Sequence, residues 1–516
     1  MIFSQLTLWF VVCFPFLSPQ ISAPPQSVEI LRDQWGIPHV FSETDQAAMY
    51  GLGYATAEDR AFQMTYALRM IQGRLAEVIG DRRQLNRNET SIDHDRKMRT
   101  FGFYRSAQQR AEELEEETRD LLQAYCDGVN AYFQDHAGRW HPLFAELELV
   151  PEPWTPADCI ASWWHFAQFF GTDGTRDLIA ARNFAPPRQE IRGGAARNPA
   201  LTDELQRLPS DQSTAVVLRS DVTQEWIDRT VSYARDRGLK INQTDQPQSA
   251  QQAPKFSHAW VVGADRSTTG SAVLVSDPQT PVRNPSLLYE FHIQGQTFNA
   301  RGVGVAGCPL ILIGFNEQVA WGVTALGADQ ADLFLLDTDP QHPNQYRFDG
   351  QWQEMIVRQE VIKIKGKSSI DYIVRSSHWG PVATPFCFAA PGEPEVALKR
   401  IPIFDTGRET IRGGMAMLRA QNSGQLDQAL ADWEFPSANM VFGDRDGAIG
   451  YRAVGAFPVR SIHDDSQGRA ARPGHRTDQD WQGVIPYDLA PGVLNPASGL
   501  LFSANHRVIG DWYHCR

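Results

Sequence analysis

The sequence predicts an α+β protein, with helical tracts first and β-strands afterwards. Two observations carry this. Residues 46–183 hold long stretches with apolar residues at helical spacing. From Ser257 onward the pattern changes to short alternating or apolar runs separated by turn residues. Between them, 184–256 is rich in Pro, Gln, Arg, Ser and Gly, a composition that reads as a linker. Helices segregated from strands are the pattern of an α+β chain or of two subdomains.

The elements follow in order. "SVEILRDQWGIPHV" (27–40) alternates and turns at Gly36-Ile37-Pro38, which predicts a strand pair. "QAAMYGLGYATAEDRAFQMTYALRMIQGRLAEVIG" (46–80) predicts one helix stopping at Gly80. A second amphipathic helix is predicted over 106–137. A third covers 156–183, broken near Gly171–Gly174. A helical island is predicted near 223–238 within the linker. "HAWVVGA", "SAVLVSDP", "SLLYEFHIQG", "FNARGVGVAG", "LILIGFN" and "VAWGVTAL" are then successive strands, with more at 359–364, 370–375 and 448–457.

At 516 residues the chain is long enough for two or three domains. It is 42% hydrophobic and 21% charged, as soluble globular proteins are. The net charge of −13 argues against nucleic acid or an anionic membrane surface as main partner. None of the six cysteines forms a CxxC pair, which argues against a thiolate metal site. The middle four could pair in an oxidising compartment. At the N-terminus an apolar core, Leu6 to Leu17, is followed by Ile21-Ser22-Ala23. Residues 1–23 therefore read as a secretory signal, too short to span a membrane, and imply a periplasmic or secreted protein.

"GVGVAG" (302–307) matches the dinucleotide-binding glycine pattern. That motif must run from a strand into a helix, and here Cys308-Pro309 and an apolar run follow, which read as turn and strand. No GxSxG, HExxH or Walker A sequence occurs. The informative place is the seam "APKFSHAWVVG", where the linker meets the first strand at Ser257. A hydroxyl needs a base to become a nucleophile. An α-amino group at the same residue, with an unperturbed pKa of about 7.7–8.0, can serve once the chain is cut before it.

"DQWGIPHV" (33–40), "YGLGYATAEDRAFQM" (50–64) and "GRLAEVIG" (73–80) resemble the first half of the penicillin acylase family of N-terminal nucleophile hydrolases. The resemblance continues through "SHAWVV" (257–262), "SDPQ" (276–279), "GFNEQVAWGVTALGADQADLF" (314–334), "NMVFGDRDGAIGYRAVGAFPVR" (439–460) and "NPASGLLFSANHR" (495–507). It implies a four-layer αββα sandwich made of two chains from one self-cleaved precursor. The first chain would be mainly helical, over 24–183, and the second β-rich, over 257–516, with 184–256 as spacer. It also implies a sequence C-terminally truncated relative to the family.

The same resemblance implies hydrolysis of a small-molecule, non-peptide amide such as a penicillin side chain or an N-acyl-homoserine lactone. Ser257 would be the nucleophile, Gln279 would arrange its surroundings, and the Ala325 N–H and the Asn505 amide would hold the oxyanion. It implies one structural Ca²⁺ held by Asp177, Asp329, Asp332 and the carbonyl of Ala331, oxygen ligands of the kind this cation takes. Aromatics in "SWWHFAQFF" (162–170) would shape an acyl pocket. Phe256 and His258 flank Ser257 where family members carry a small residue and Asn. The alternatives are an uncleaved relative that acts as a binding protein, and an inactive fragment.

Overall fold

A computed structural model describes residues 27–86, 89–170, 216–217, 219–237, 257–386, 394–461, 463, 468, 470–506, 508–510 and 513. Helices dominate up to residue 167 and strands follow from 257. Strand β1 (Glu29–Arg32) pairs antiparallel with β2 (Pro38–Phe41). Helix α1 (Asp45–Ile71) starts at Thr44, whose hydroxyl accepts the Ala47 N–H at 3.3 Å.

The sequence predicted one helix over 46–80, but the structure breaks it. Gly73 takes φ +65°, and α2 (Leu75–Ile79) starts as a separate helix. The buried Asp95 carboxylate, on α3 (Ser91–Phe101), accepts the Leu75 and Ala76 N–H groups at 2.7 and 2.8 Å and fixes the new helix. The predicted helix over 106–137 is likewise two, α4 (Phe103–Glu112) and α5 (Glu116–Asp135). Helices α1 and α5 cross at backbone contact. A Cβ on Gly53 would lie 2.0 Å from the Tyr125 carbonyl oxygen, and one on Gly128 would lie 1.9 Å from that of Tyr50. The glycines of "YGLGYATA" are therefore packing residues.

Helix α6 (Pro142–Glu146) leads to α7 (Pro156–Ala167), which opens with a reciprocal Thr155–Asp158 cap and a proline in its first turn. The rest of the predicted third helix, 171–183, lies outside the described residues. The island in the linker is α8 (Gln224–Asp236).

The strands that position the site are β3 (Ser257–Val262), β4 (Val273–Pro278), β5 (Leu288–Gln294), β6 (Asn299–Val305), β7 (Cys308–Asn316) and β8 (Val319–Ala325). They continue with β9 (Ala331–Leu335), β10 (Val396–Arg400), β11 (Ala438–Asp444), β12 (Ile449–Val454), β13 (Arg472–Pro473), β14 (Gly492–Leu494) and β15 (Leu500–Ser503). Nine form one sheet in the order β1-β2-β5-β6-β7-β8-β11-β12-β14. It is antiparallel except where β2 runs parallel to β5, the seam that joins the N-terminal hairpin to the later strands. "GVGVAG" forms the β6 end and turn of the β6–β7 hairpin.

A three-stranded sheet, β15-β3-β4, packs on one face of the nine-stranded sheet against β8, β11 and β12. Helices α1 and α7 and helix α9 (Thr410–Arg419) cover the other face. Three layers are thus described: helices, large sheet, small sheet. Among the described residues the outer face of the small sheet is open, with Trp260 37% and Phe502 49% exposed. Cys126, Cys159 and Cys308 are buried free thiols. Among the described residues no helix is long and apolar enough to cross a membrane.

Candidate active site

Ser257 is the first residue of β3 and lies opposite Pro278 in the β3–β4 ladder. Its backbone N–H donates to Asn505 Oδ1 at 3.0 Å. The other end of that amide, Asn505 Nδ2, donates to the Ala325 carbonyl at 2.8 Å. One side chain therefore ties the start of β3 to the end of β8. Asn505 sits just past β15 at φ +59°, a backbone region that Asn enters more readily than most residues. "SANHR" thus uses Asn for both its amide and its backbone.

Ala325 ends β8 opposite Ala438 of β11. The next N–H, that of Leu326, donates to the Ser437 carbonyl at 3.4 Å. Antiparallel pairing alternates, so the Ala325 N–H is turned away from β11, on the same side as the carbonyl that Asn505 holds.

Ser257 and Ala325 line one pocket. Its described walls are apolar, from Phe166, Phe170, Leu288, Leu312, Val323 and Trp433, and no charged side chain among the described residues lines it. The capped start of α7 explains part of this wall. It sets Trp163 into the core, where its indole donates to the Phe435 carbonyl at 2.9 Å and meets Trp433 edge-on at 5.3 Å between ring centres. Phe166 and Phe170, further along, then reach the pocket. "SWWHFAQFF" thus divides: Trp163 and Trp164 are core, while Phe166 and Phe170 line the cavity. Trp433 was not singled out from sequence. It stands in "ADWEFPS", which carries no local signal of a pocket.

The remaining expected site residues are placed differently. Gln279 is exposed, and its amide donates to Asp277 at 3.4 Å rather than turning to Ser257. Asp177 lies outside the described residues. Asp329 and Asp332 do come together, but around cations of the chain itself. Arg460 reaches Asp329 at 2.8 Å and Asp332 at 3.0 Å, and Arg472 and the Trp481 indole also engage Asp332, which is fully buried. Ala331 is a buried residue of β9, paired with Arg400 of β10. The two carboxylates thus face two guanidiniums whose formal charges cancel theirs. These residues do not fit a calcium cage, because a hard cation here would have to displace Arg460. Among the described residues no group of three or more acidic, His or Cys side chains could hold a metal. Arg460 ends "GAFPVR" and Arg472 stands in "AARPG". Only the fold reveals that both point at the acids of "ADQAD".

The penicillin amidase family model matches residues 27–515. The chain belongs to the penicillin amidase family. Among its relatives are an acyl-homoserine lactone acylase QuiP of Pseudomonas fluorescens (strain Pf0-1), 28% identical over 95% of this chain, and a penicillin G acylase of Escherichia coli, 26% identical over 98%. The chain spans 57% and 62% of the lengths of those two relatives. A thermostable penicillin G acylase from Alcaligenes faecalis aligns with 50% of this chain and 46% of its own, at 25% identity and a TM-score of 0.44. The family is one of linear-amide acylases.

Proposed function

We propose that this chain is the nucleophile-bearing part of an acylase that hydrolyses a non-peptide amide, with Ser257 as nucleophile after cleavage of the bond that precedes it. The observation that carries the reading is the single amide of Asn505, which joins the Ser257 nitrogen to the end of β8 at the mouth of an apolar pocket.

The chemistry follows from that arrangement. Once Ser257 is a chain start, its amine takes the Oγ proton as Oγ attacks the substrate carbonyl carbon. The tetrahedral oxygen needs donors, and an amide nitrogen has two N–H groups. Asn505 can hold the Ala325 carbonyl with one and the oxyanion with the other, beside the Ala325 N–H. The C–N bond then breaks, the proton passes to the leaving amine, and an acyl-serine ester remains. Water activated by the same amine attacks it, releases the carboxylic acid and restores Oγ–H.

The apolar side chains of Phe166, Phe170, Leu288, Leu312, Val323 and Trp433 favour an apolar acyl group. Relatives named for N-acyl-homoserine lactones and for penicillin G make both amides the substrates to try first. The leader over residues 1–23 would place the enzyme in the periplasm or outside the cell. The open outer face of the small sheet, bearing Trp260 and Phe502, is where the second helical layer of an αββα sandwich would pack.

Intact mass and N-terminal sequencing of the purified protein test the proposal. We expect a chain that begins at Ser257 and amide hydrolysis that Ser257→Ala abolishes, leaving the precursor uncut. A folded, permanently single chain would mark a binding protein instead.

A further inference from the structure

Behind the candidate site, four buried polar side chains from four different strands form one hydrogen-bonded chain between the two sheets. Tyr451 of β12 donates its hydroxyl to Asn439 Oδ1 on β11 at 2.7 Å. Asn439 Nδ2 donates to Thr324 Oγ1 on β8 at 3.0 Å and to the Ala325 carbonyl at 3.2 Å. Thr324 Oγ1 shares a 2.7 Å bond with Ser503 Oγ on β15. All four residues are at most 2% exposed. A polar cluster this deep is costly unless fully bonded, and an apolar filling would serve packing as well.

What the cluster touches gives it a use. Its outermost atom is the Ala325 carbonyl, the same oxygen that Asn505 Nδ2 holds. Ser503, at its other end, lies two residues before Asn505 on the same strand and turn. Asn439 therefore fixes two things together: the tilt of the peptide group at the end of β8, and through Thr324 and Ser503 the height of the segment that presents the Asn505 amide. Both expected oxyanion donors hang from this one side chain.

The geometry points to Asn439 as a positioning residue for acyl transfer, acting through the Ala325 carbonyl and the Thr324–Ser503 link, with Tyr451 holding its orientation. The inference rests on the acylase reading proposed above. It differs from a packing role in a measurable way. Misplaced oxyanion donors weaken binding of the transition state and leave ground-state binding of the acyl group untouched.

The test uses the full chain and two variants. Asn439→Asp keeps the acceptor for Tyr451 and the side-chain shape but loses both N–H donors. Tyr451→Phe deletes one hydroxyl and serves if the first variant does not fold. Processing at Ser257 is read first by mass. Hydrolysis of an N-acyl-homoserine lactone and of penicillin G follows, with binding of a phosphonate analogue of the tetrahedral intermediate and of the product acid.

The expected result is a kcat lower by about tenfold to a hundredfold, less than the loss of a whole oxyanion donor causes. KM should stay within about twofold, phosphonate affinity should fall in step with kcat, and product-acid affinity should not change. Unchanged kcat in the folded variants overturns the inference. So does a parallel loss of kcat, product binding and thermal stability, which would mark a purely structural residue. A wild-type chain that is uncut or inactive overturns the acylase reading and this inference with it, and is recognised before any variant is compared.

Discussion

Replacing Arg460 by Met asks whether the acidic pair of "ADQAD" is satisfied by the chain or by an ion. Met keeps much of the apolar stem and removes the charge. In the folded protein Arg460 spans 2.8 Å to Asp329 and 3.0 Å to Asp332. The Asp329 side chain is 35% exposed and can turn to water, whereas that of Asp332 is 0% exposed. The loss therefore falls on Asp332, which keeps Arg472 and Trp481.

Removing one partner of a buried pair costs roughly 3–5 kcal/mol, and the remaining partners put this case near about 3 kcal/mol. Thermal unfolding in EGTA and in millimolar CaCl₂ is the assay. The wild type should melt at one temperature in both. Arg460→Met should melt lower in EGTA and recover part of the loss in CaCl₂, because two carboxylates then stand without their shared cation. A wild type that loses stability in EGTA would refute the reasoning and return the site to an ion.

Gly53→Ala should destabilise the α1–α5 contact by more than the roughly 1–3 kcal/mol of ordinary overpacking, since the added carbon would sit 2.0 Å from a backbone oxygen; urea unfolding by circular dichroism measures it. Burial pushes the Glu434 carboxyl up to about 8. The folded chain then carries a proton that the unfolded chain releases near about 4.3. Stability from this group is complete below that value, falls as pH rises and levels off above about 8. Glu434→Gln should flatten the pH dependence of the melting temperature between those limits, by at most about 5 kcal/mol, and leave an acid-side stability close to that of the parent. Phe170→Ala should open the pocket end and shift the preferred acyl group to a bulkier one, read as relative kcat/KM across an acyl series.

Much of this was legible in the chain. The order of helices and strands follows from apolar periodicity, a local property that survives any arrangement of the elements. Family membership follows from motifs in one order, and "SHAWVV", "WGVTAL" and "SANHR" supplied Ser257, Ala325 and Asn505, which the fold brings into one hydrogen-bonded chain. The helix break at Gly73 was not legible, because isolated glycines are tolerated inside helices. The deciding neighbour, Asp95, comes from the next helix.

The rest depended on distances that sequence spacing does not encode. Phe166 faces the pocket and Trp163 the core because α7 lies against one wall of it. Asn439 and Tyr451 were present inside "NMVFGDRDGAIGYR", but strand pairing and the stacking of two sheets carry them behind Ala325. The acidic spacing of "ADQAD" suggested an ion by itself. Only the tertiary structure brings Arg460 and Arg472, more than a hundred residues later, against those carboxylates, and charge compensation is decided by what is near in space.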